Sequence, residues 1–420
     1  MRIIIIGAGV IGTTTAWYLH QAGHQVHVID RAAEPASETS FANGGLLHAS
    51  HAEPWNAPGV VGQLLRWIGR EESPLLLRAR EIPRLTRWGL GFLRNSSRSR
   101  FERNTVVNTR LAIHSLRRLQ ALRRETGIRY ADSQSGIIKI FRDAVSMEKA
   151  LQASRLTADL GLRFSVLDPR QATALEPALA DVAHELTGAI YYPDDESGDA
   201  CLFTRRLAAL AQQQGVEFEL GVSVERLQRS GDRLSGLVTS AGQRTADLYI
   251  LAAGSYSPGL ARQAGLRLPI YPVKGYSHTA PLNVWRDAPT IPMIDDANKV
   301  VMSILDDRIR MAGTAEFAGF DTTLEHRRAD NVFRQVLKTF PTLEDRLTPS
   351  DLTPWCGLRP ITMDGPPILG PTPIRNLQLN TGAGHLGWTF ACGAASLVAE
   401  SVAASEPSIP LDGLGYDRFA

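Results

Sequence analysis

The stretch of sequence that decides the fold is Arg2-Ile3-Ile4-Ile5-Ile6-Gly7-Ala8-Gly9-Val10-Ile11-Gly12. Its run of isoleucines predicts a β-strand that ends at Gly7, and the helical periodicity of residues 10–22 predicts a helix that ends at Gly23. Residues 25–29 return to a strand pattern, and Asp30 follows at its end. This order is that of a βαβ unit, with which doubly wound α/β folds begin.

The glycine spacing in this unit is that of a dinucleotide site. Its three glycines allow a tight turn, a close approach of the backbone to a pyrophosphate, and close packing of the helix. The carboxylate of Asp30 can accept hydrogen bonds from a ribose. The spacing alone is a weak signal, so its position between a strand and a helix carries the prediction. The predicted nucleotide contacts are Gly7, Ala8, Gly9, Val10, Ile11, Gly12, Asp30 and Arg31.

The choice of dinucleotide depends on the rest of the chain. No second G-x-G-x-x-G follows a strand downstream, so the single site has to hold the redox cofactor itself. Residues 39–45 offer hydrogen-bond donors, residues 251–254 end a strand with small side chains, and residues 382–389 precede a helix whose N-terminus would stabilise a reduced flavin. These features favour FAD over NAD. The predicted contacts are Thr39, Ser40, Asn43, Gly44, Gly45, Ala253, Gly254, Gly384, His385, Leu386, Gly387, Trp388 and Thr389.

The composition limits the class of protein and its partners. A chain of 420 residues usually forms more than one domain. Its 45 basic and 43 acidic residues give a net charge of only +2, so we expect no nucleic acid partner. Cys201, Cys356 and Cys392 are far apart, which excludes a disulfide framework and favours the cytoplasm. No apolar stretch reaches the roughly 18 residues of a membrane span.

One local excess of charge lies between residues 66 and 100. A basic surface with apolar anchors is typical of proteins that lie on an anionic membrane, here the inner face of the cell membrane. Solvated helix faces with tryptophans turned into the core are the alternative. The segment has tryptophans at 67 and 88, leucines at 75–77, and nine arginines: Arg66, Arg70, Arg78, Arg80, Arg84, Arg87, Arg94, Arg98 and Arg100.

The other patterns alternate between helix and strand. In chain order they predict a helix at 104–126, a strand at 135–141, a helix from Asp199 to Gln214, strands near 216–220, 223–228, 234–240 and 247–253, mostly strands over 270–320, a helix at 323–340, a short strand at 377–380 and a helix at 388–404. The strands after Asp199 are interpreted as a continuation of the first sheet. This order indicates two interleaved domains, one of which contains both chain ends.

Six segments resemble, in order and over nearly the whole chain, the bacterial D-amino acid dehydrogenase small subunits. That family belongs to the superfamily of D-amino acid oxidase, glycine oxidase and sarcosine oxidase. The segments are Glu38-Thr39-Ser40-Phe41-Ala42-Asn43-Gly44-Gly45, Pro54-Trp55, Leu202-Phe203-Thr204, Tyr271-Pro272-Val273-Lys274-Gly275-Tyr276-Ser277, Gly357-Leu358-Arg359-Pro360 and Gly384-His385-Leu386-Gly387-Trp388-Thr389.

The resemblance implies a fold of two lobes. One is an FAD-binding Rossmann domain of the glutathione-reductase type, formed by residues 1–50, 195–262 and 355–420. The other is an α+β substrate domain, formed by residues 51–194 and 263–354, whose mostly antiparallel sheet covers the flavin. The strand near Val224 is expected to contact the adenine through its backbone.

The resemblance also implies site residues. Arg359 is expected to bind the substrate carboxylate, since its planar fork suits a carboxylate. Tyr276 is expected to be a hydrogen-bond donor in the pocket, and the segment of His48 and His51 to lie beside the substrate. His51 stands where the family commonly has a tyrosine, and Leu46 where it has a glutamine. We expect this segment to determine the substrate and, with Glu53, to bind no metal ion.

The function implied is the oxidative deamination of a small D-amino acid to a 2-oxo acid and ammonia. FAD, bound without a covalent link, would accept hydride from Cα at its N5 atom and pass electrons to a quinone-type acceptor. Relatives of sarcosine oxidase attach FAD near the position of Cys356, but the dehydrogenases usually have no cysteine there. Alternatives are a dehydrogenase of a cyclic D-imino acid such as D-proline or cis-4-hydroxy-D-proline, an oxygen-using amine oxidase, and a non-catalytic FAD-binding electron-transfer subunit.

Overall fold

A computed structural model describes residues 1–60, 62, 71, 73–283, 285 and 287–419. Its helices are α1 (Val10–Gln21), α2 (Ile82–Arg94), α3 (Arg98–Thr126), α4 (Ala144–Thr157), α5 (Pro169–Leu175), α6 (Ala200–Gln213), α7 (Ser257–Gln263), α8 (His326–Leu337) and α9 (Gly387–Val402). Its strands are β1 (Arg2–Ile6), β2 (Gln25–Asp30), β3 (Leu46–Leu47), β4 (Leu75–Leu77), β5 (Ile137–Phe141), β6 (Ser165–Leu167), β7 (Gly188–Tyr192), β8 (Glu196–Ser197), β9 (Glu217–Leu220), β10 (Val224–Ser230), β11 (Arg233–Thr239), β12 (Gly242–Arg244), β13 (Leu248–Leu251), β14 (Ile270–Pro281), β15 (Met293–Asp295), β16 (Val300–Leu305), β17 (Arg308–Phe317), β18 (Thr353–Thr362), β19 (Ile368–Pro371) and β20 (Leu377–Thr381).

The first sheet has the order β19-β20-β13-β1-β2-β9 and is parallel except for β19. At its centre, Ile5 pairs with Val28 on one side and with Ile250 on the other. Helices α1, α6 and α9 form the hydrophobic core on one face, and α7 with the β10–β12 sheet forms the core on the other. Both faces of β1 are therefore buried, which accounts for its unbroken isoleucine run.

The second, larger sheet has the order β18-β14-β17-β16-β15-β5-β7-β6, with β4 added beside β17. Its pairings are antiparallel except those of β15 with β5 and of β17 with β4. Helix α8 packs on one face through Ala329, Val332 and Val336. The opposite face lies over the nucleotide loops, where Ser277 donates a hydrogen bond of 2.7 Å to the carbonyl of Ala42. The α/β class with a mostly antiparallel second sheet is confirmed.

The structure corrects the placement of two groups of strands. Strands β10 and β11 do not continue the first sheet; with β12 they form a separate antiparallel sheet. Only Gly231 and Asp232 separate the paired ends of β10 and β11, so the two strands form a hairpin and pair locally. Strand β18 belongs to the large sheet, where it pairs with β14. We therefore propose that the boundary placed at residue 355 lies after Thr362 instead.

The arginine-rich segment is described only in part, because Arg66, Trp67 and Arg70 lie outside the described residues. Trp88 is buried among Phe92, Tyr271 and Phe317 and donates a hydrogen bond to the backbone of Ile361. Several arginines here form ion pairs with acidic neighbours: Arg78 with Glu71 and Glu316, Arg80 with Asp321, Arg84 with Glu81, and Arg98 with Glu102. Within the described part of the chain, no helix is long and apolar enough to cross a membrane.

Candidate active site

A cavity of about 1860 Å³ lies between the two sheets and receives most of the predicted site residues. Of those residues, only Ala8, Gly12, Leu386 and Thr389 are not part of its wall. The wall contains the first turn of α1, residues 38–40 and 42–46, the start of β10, residues 252–256 after β13, and the loop before α9. One elongated cavity thus connects the nucleotide fingerprint with Arg359.

The fingerprint glycines leave no room for side chains. Gly7 has a φ of +116°, and a Cβ atom there would lie 2.6 Å from the carbonyl oxygen of Ala252. A Cβ atom on Gly12 would overlap the carbonyl of Gly7, which is why Gly12 packs the helix against the strand instead of facing the cavity. Both glycines therefore bring backbone close to backbone, as a nucleotide-binding turn requires.

The carboxylate of Asp30 stabilises this turn. Its two oxygens accept backbone hydrogen bonds from Ala8 at 2.6 Å and Ala32 at 2.8 Å. A carboxylate has about four acceptor positions, so capacity remains for ribose hydroxyls. Arg31 lies with its guanidinium 3.8 Å from the centroid of the Tyr256 ring and forms an ion pair with Glu38.

Residues 39–45 pass over the N-terminus of α1. Ser40 Oγ accepts a hydrogen bond of 3.0 Å from the backbone of Val10, while Thr39 Oγ1 donates one of 2.7 Å to the carbonyl of Leu358. Asn43 Oδ1 accepts from the backbone of Gly45 at 3.0 Å. Gly44 and Gly45 lie against β16, where a Cβ atom on either would lie 3.0–3.1 Å from a β16 side chain. The loop is thus fixed between α1 and the large sheet.

This arrangement fits FAD. The turn after β1 and the N-terminus of α1 suit a pyrophosphate, since unpaired backbone N–H groups favour an anion there. Val224, Ala253 and Gly254 line the same cavity with small or apolar groups. The glycines of the turn and of residues 44–45 form a cradle that side chains would fill.

The loop before α9 joins the nucleotide region to the second half of the cavity. His385 stacks on Trp55, with ring centroids 5.4 Å apart. Trp388 donates a hydrogen bond of 3.1 Å to the carbonyl of Gly198. Thr389 lies behind the wall, where its Oγ1 accepts from the backbone of His48 at 3.2 Å. Thr389 therefore supports the His48 segment from outside the cavity.

Arg359 is the cation of this half of the cavity. It lies on β18, its Nη1 donates a hydrogen bond of 2.9 Å to the carbonyl of Thr314, and its guanidinium lies 5.5 Å from the Trp55 ring. Gly275 on β14 leaves the space that the guanidinium occupies. Burial lowers the pKa of Arg359 to about 10, and no acidic side chain among the described residues forms an ion pair with it. A half-buried guanidinium that faces a cavity without an acidic partner is suited to an anionic ligand.

The hydroxyl of Tyr276 already has a partner. It donates a hydrogen bond of 2.5 Å to Glu316 Oε2, and burial together with this carboxylate raises the pKa of Tyr276. The other carboxylate oxygen of Glu316 accepts from Arg78 at 2.6 Å. Although Tyr276 is part of the cavity wall, its ring packs in the core beneath α8, on the same face of the sheet as its register partner Cys356. Its hydroxyl is engaged on that side, so its role as a donor to substrate stays a prediction.

The cavity also contains a histidine cluster. The ring centroids of His48 and His51 are 5.8 Å apart, and those of His51 and His385 are 6.3 Å apart. Burial and the nearby His51 lower the pKa of His48 to about 3, and burial lowers that of His385 well below its usual value. No group of acidic, histidine and cysteine side chains in the described chain is arranged to hold a metal ion.

Two further charged groups complete the cluster. Glu53 Oε2 lies 3.3 Å from His51 Nδ1; burial raises the pKa of Glu53, but the contact with His51 prevails and lowers it to about 2. Lys139, on β5, is buried and pairs with Asp296 at 3.1 Å. Lys139 was not predicted as a site residue from the sequence. The one signal in the sequence was a lysine between isoleucines, in a strand that is fully buried in the structure.

Cys356 does not line the cavity, although its neighbours Trp355 and Gly357 do. Side chains alternate along a strand, and Cys356 faces the α8 side, with its Sγ 3.3 Å from the carbonyl of Thr322. This placement supports the prediction that FAD is bound without a covalent link.

These observations define a two-lobed flavin-dependent oxidoreductase. Residues 2–401 match the family model described as FAD dependent oxidoreductase, DAO, and the chain belongs to this family. FAD is therefore its cofactor.

Individual relatives cover the full chain. It is 50% identical to a D-amino acid dehydrogenase of Paramagnetospirillum magneticum, over 100% of this chain and 99% of that protein. It is 45% identical to a D-amino acid dehydrogenase of Dechloromonas aromatica, over 97% and 98%. Among solved structures, L-proline dehydrogenase from P. horikoshii has the same fold, with a TM-score of 0.79 at 17% identity over 100% of this chain and 97% of that one.

Proposed function

We propose that this protein oxidises the Cα–N bond of small D-amino acids, giving an imino acid that hydrolyses to a 2-oxo acid and ammonia. The observation that carries the proposal is the unpaired guanidinium of Arg359 in the cavity. The names of the two full-length relatives support the D-amino acid as substrate. FAD, when bound, supplies the two-electron acceptor for the hydride of Cα.

The residues of the chain bind and orient the substrate. Arg359 takes the carboxylate through its planar fork, and the ring of Trp55 lies beside its guanidinium. Once the carboxylate is held, the direction in which Cα points depends on the other groups of the cavity wall, which include the histidine cluster. Catalysis then rests on orientation within a partly dry cavity.

The electron acceptor in this proposal is a membrane quinone, and the protein works in the cytoplasm at the inner face of the cell membrane. Helix α2 supports this assignment because it exposes Ile82, Leu90 and Leu93 beside the exposed Arg84 and Arg87. An apolar surface with arginines around it suits an anionic lipid headgroup layer. The rate with a soluble quinone analogue should exceed the rate with oxygen; stoichiometric peroxide at full turnover would instead identify an oxidase.

A cyclic D-imino acid is the second candidate substrate. It is favoured by Leu46 and His51, both of which line the cavity where the family commonly has glutamine and tyrosine. An imidazole can accept a hydrogen bond from a ring hydroxyl or an imino N–H.

An anaerobic panel of D-, L- and cyclic amino acids tests the proposal. We expect rapid bleaching of the flavin absorbance by D-alanine or D-proline, with L-alanine as the matched control. If no amino acid bleaches a fully FAD-loaded protein, the chain is an electron-transfer subunit and the proposal is wrong.

A further inference from the structure

Amino acids reach the cavity with a protonated amine, which cannot give up hydride from Cα until one N–H bond is broken. The chain must therefore take up a proton at neutral pH, or wait for the rare neutral form of the substrate. Tyr276 is not suited to this, because its proton is already donated to Glu316 and its pKa is raised. The candidates that remain are the three histidines of the cavity.

Only one of the three has a carboxylate beside it. His51 Nδ1 lies 3.3 Å from Glu53 Oε2. Neither atom forms a hydrogen bond of good geometry, with the other or with any described residue. The contact is therefore an ion pair that gains its full strength when the ring is protonated. His48 Nδ1 and His385 Nε2 are also buried without a hydrogen-bond partner in the described part of the chain, but there only His51 of the three has a carboxylate within ion-pair distance.

We propose that His51, held by Glu53, accepts the proton of the substrate α-ammonium group. The N–H bond of the ammonium breaks, its electron pair stays on nitrogen, and the proton binds Nε2 of the imidazole. The amine becomes neutral, and the imidazolium is paired with Glu53 across Nδ1. The ring later releases the proton to water, to which its side chain is 36% exposed. This inference rests on the proposed function and adds a proton acceptor to it.

The surrounding charges agree with this assignment. The carboxylate of Glu53 stays ionised, since its pKa is about 2, and it attracts both the ammonium and the protonated ring. His48 and His385 stay neutral because burial lowers their pKa values. The titratable and charged groups that face His51 and Glu53 are His48 on the same segment, Lys139 on β5 with its partner Asp296, Tyr192 on β7 and His385 before α9; His385 in turn faces Arg359 on β18.

In this arrangement the two ends of a zwitterionic substrate meet opposite charges. In this proposal Arg359 binds the carboxylate, and His51 and Glu53, which line the same cavity, receive the ammonium group. Glu53 acts through His51 and is a positioning residue, whereas His51 is the group that contacts the substrate nitrogen.

The test is the pH dependence of kcat/KM for anaerobic flavin reduction by D-alanine, in the FAD-loaded wild type, His51→Gln and Glu53→Gln. We expect His51→Gln to be about a hundredfold slower than wild type near pH 7, within the usual range for general acid–base catalysis. Its inflection should move up towards the pKa of free D-alanine, and its rate should return to within about threefold of wild type above that pKa. Glu53→Gln should shift the inflection in the same direction by less.

His48→Gln is the matched control, because it removes a neighbouring imidazole that has no carboxylate partner. Its inflection should stay at the wild-type pH, whatever its effect on the rate. An inflection unchanged in both His51→Gln and Glu53→Gln would overturn the inference. The same result follows if His51→Gln loses rate equally at every pH, as a purely structural or specificity role would require. A wild type that D-amino acids reduce at no pH would instead overturn the proposed function.

Discussion

Replacement of Arg359 by alanine removes the carboxylate anchor while leaving the nucleotide turn untouched. Among the described residues the guanidinium donates one hydrogen bond, to the carbonyl of Thr314, so most of its donors are available to a ligand. Truncating one partner of a buried charge pair costs about 2–5 kcal/mol. We therefore expect kcat/KM for D-alanine to fall between roughly thirtyfold and several thousandfold. FAD content, measured by absorbance after gel filtration, should be unchanged.

A second substitution tests whether the position of the Arg359 charge matters as well as its presence. In Gly275→Ala the added Cβ atom would overlap the guanidinium of Arg359, so the charge stays but has to move. We expect a similar loss of kcat/KM, because a displaced anchor misplaces Cα. Arg359→Lys keeps a cation without the bidentate fork and should fall between wild type and Arg359→Ala. If Arg359→Ala retains kcat/KM within about threefold of wild type, Arg359 does not bind the carboxylate.

Three other changes give sharp expectations. Acid precipitation should release intact FAD from the yellow protein, because Cys356 faces away from the cavity; colour that stays with the polypeptide would contradict this. His51→Tyr combined with Leu46→Gln should shift the kcat/KM ratio from cyclic D-imino acids towards D-alanine by at least about tenfold, or 1.4 kcal/mol, and an unchanged ratio would place His51 outside the substrate contacts. Burial raises the pKa of Asp195 from 3.8 to about 7, so between these values the folded state binds more protons than the unfolded state and stability falls as pH rises. Asp195→Asn should remove this fall and gain up to about 2.7 kcal/mol at pH 8 relative to pH 5 in urea unfolding, whereas equal effects at both pH values would contradict the buried-acid explanation.

The sequence alone predicted the parts of the site that are formed by residues close together in the chain. The fingerprint glycines, Asp30 and the residues around Ser40 are close in sequence, and the strand, turn and helix that join them follow from periodicity. Arg359 could be found through the short motif that contains it. The strands themselves could also be predicted from the sequence. The separation of β10 and β11 from the first sheet could not, because a strand pattern does not determine which strand it pairs with.

Contacts between distant segments could not be predicted in the same way. Glu316 reaches the hydroxyl of Tyr276 through the antiparallel register of β14 and β17, which periodicity does not give. Lys139 enters the cavity wall because β5 continues the large sheet beside β15. A single lysine in an apolar strand indicates burial with a partner, but not that Asp296 is the partner.

The carbonyl of Leu358 links the two halves of the site. It accepts hydrogen bonds from Thr39 Oγ1 at 2.7 Å and from Ser255 Oγ at 3.2 Å, and both donors come from the nucleotide-binding lobe. Leu358 directly precedes Arg359, so these hydroxyl groups fix the backbone that presents the guanidinium. Each bond contributes only about 1 kcal/mol to stability, yet an error of 1 Å in placing a substrate can cost about a hundredfold in rate. The position of the carboxylate anchor relative to the nucleotide loops is therefore set by the chain itself, before any ligand binds.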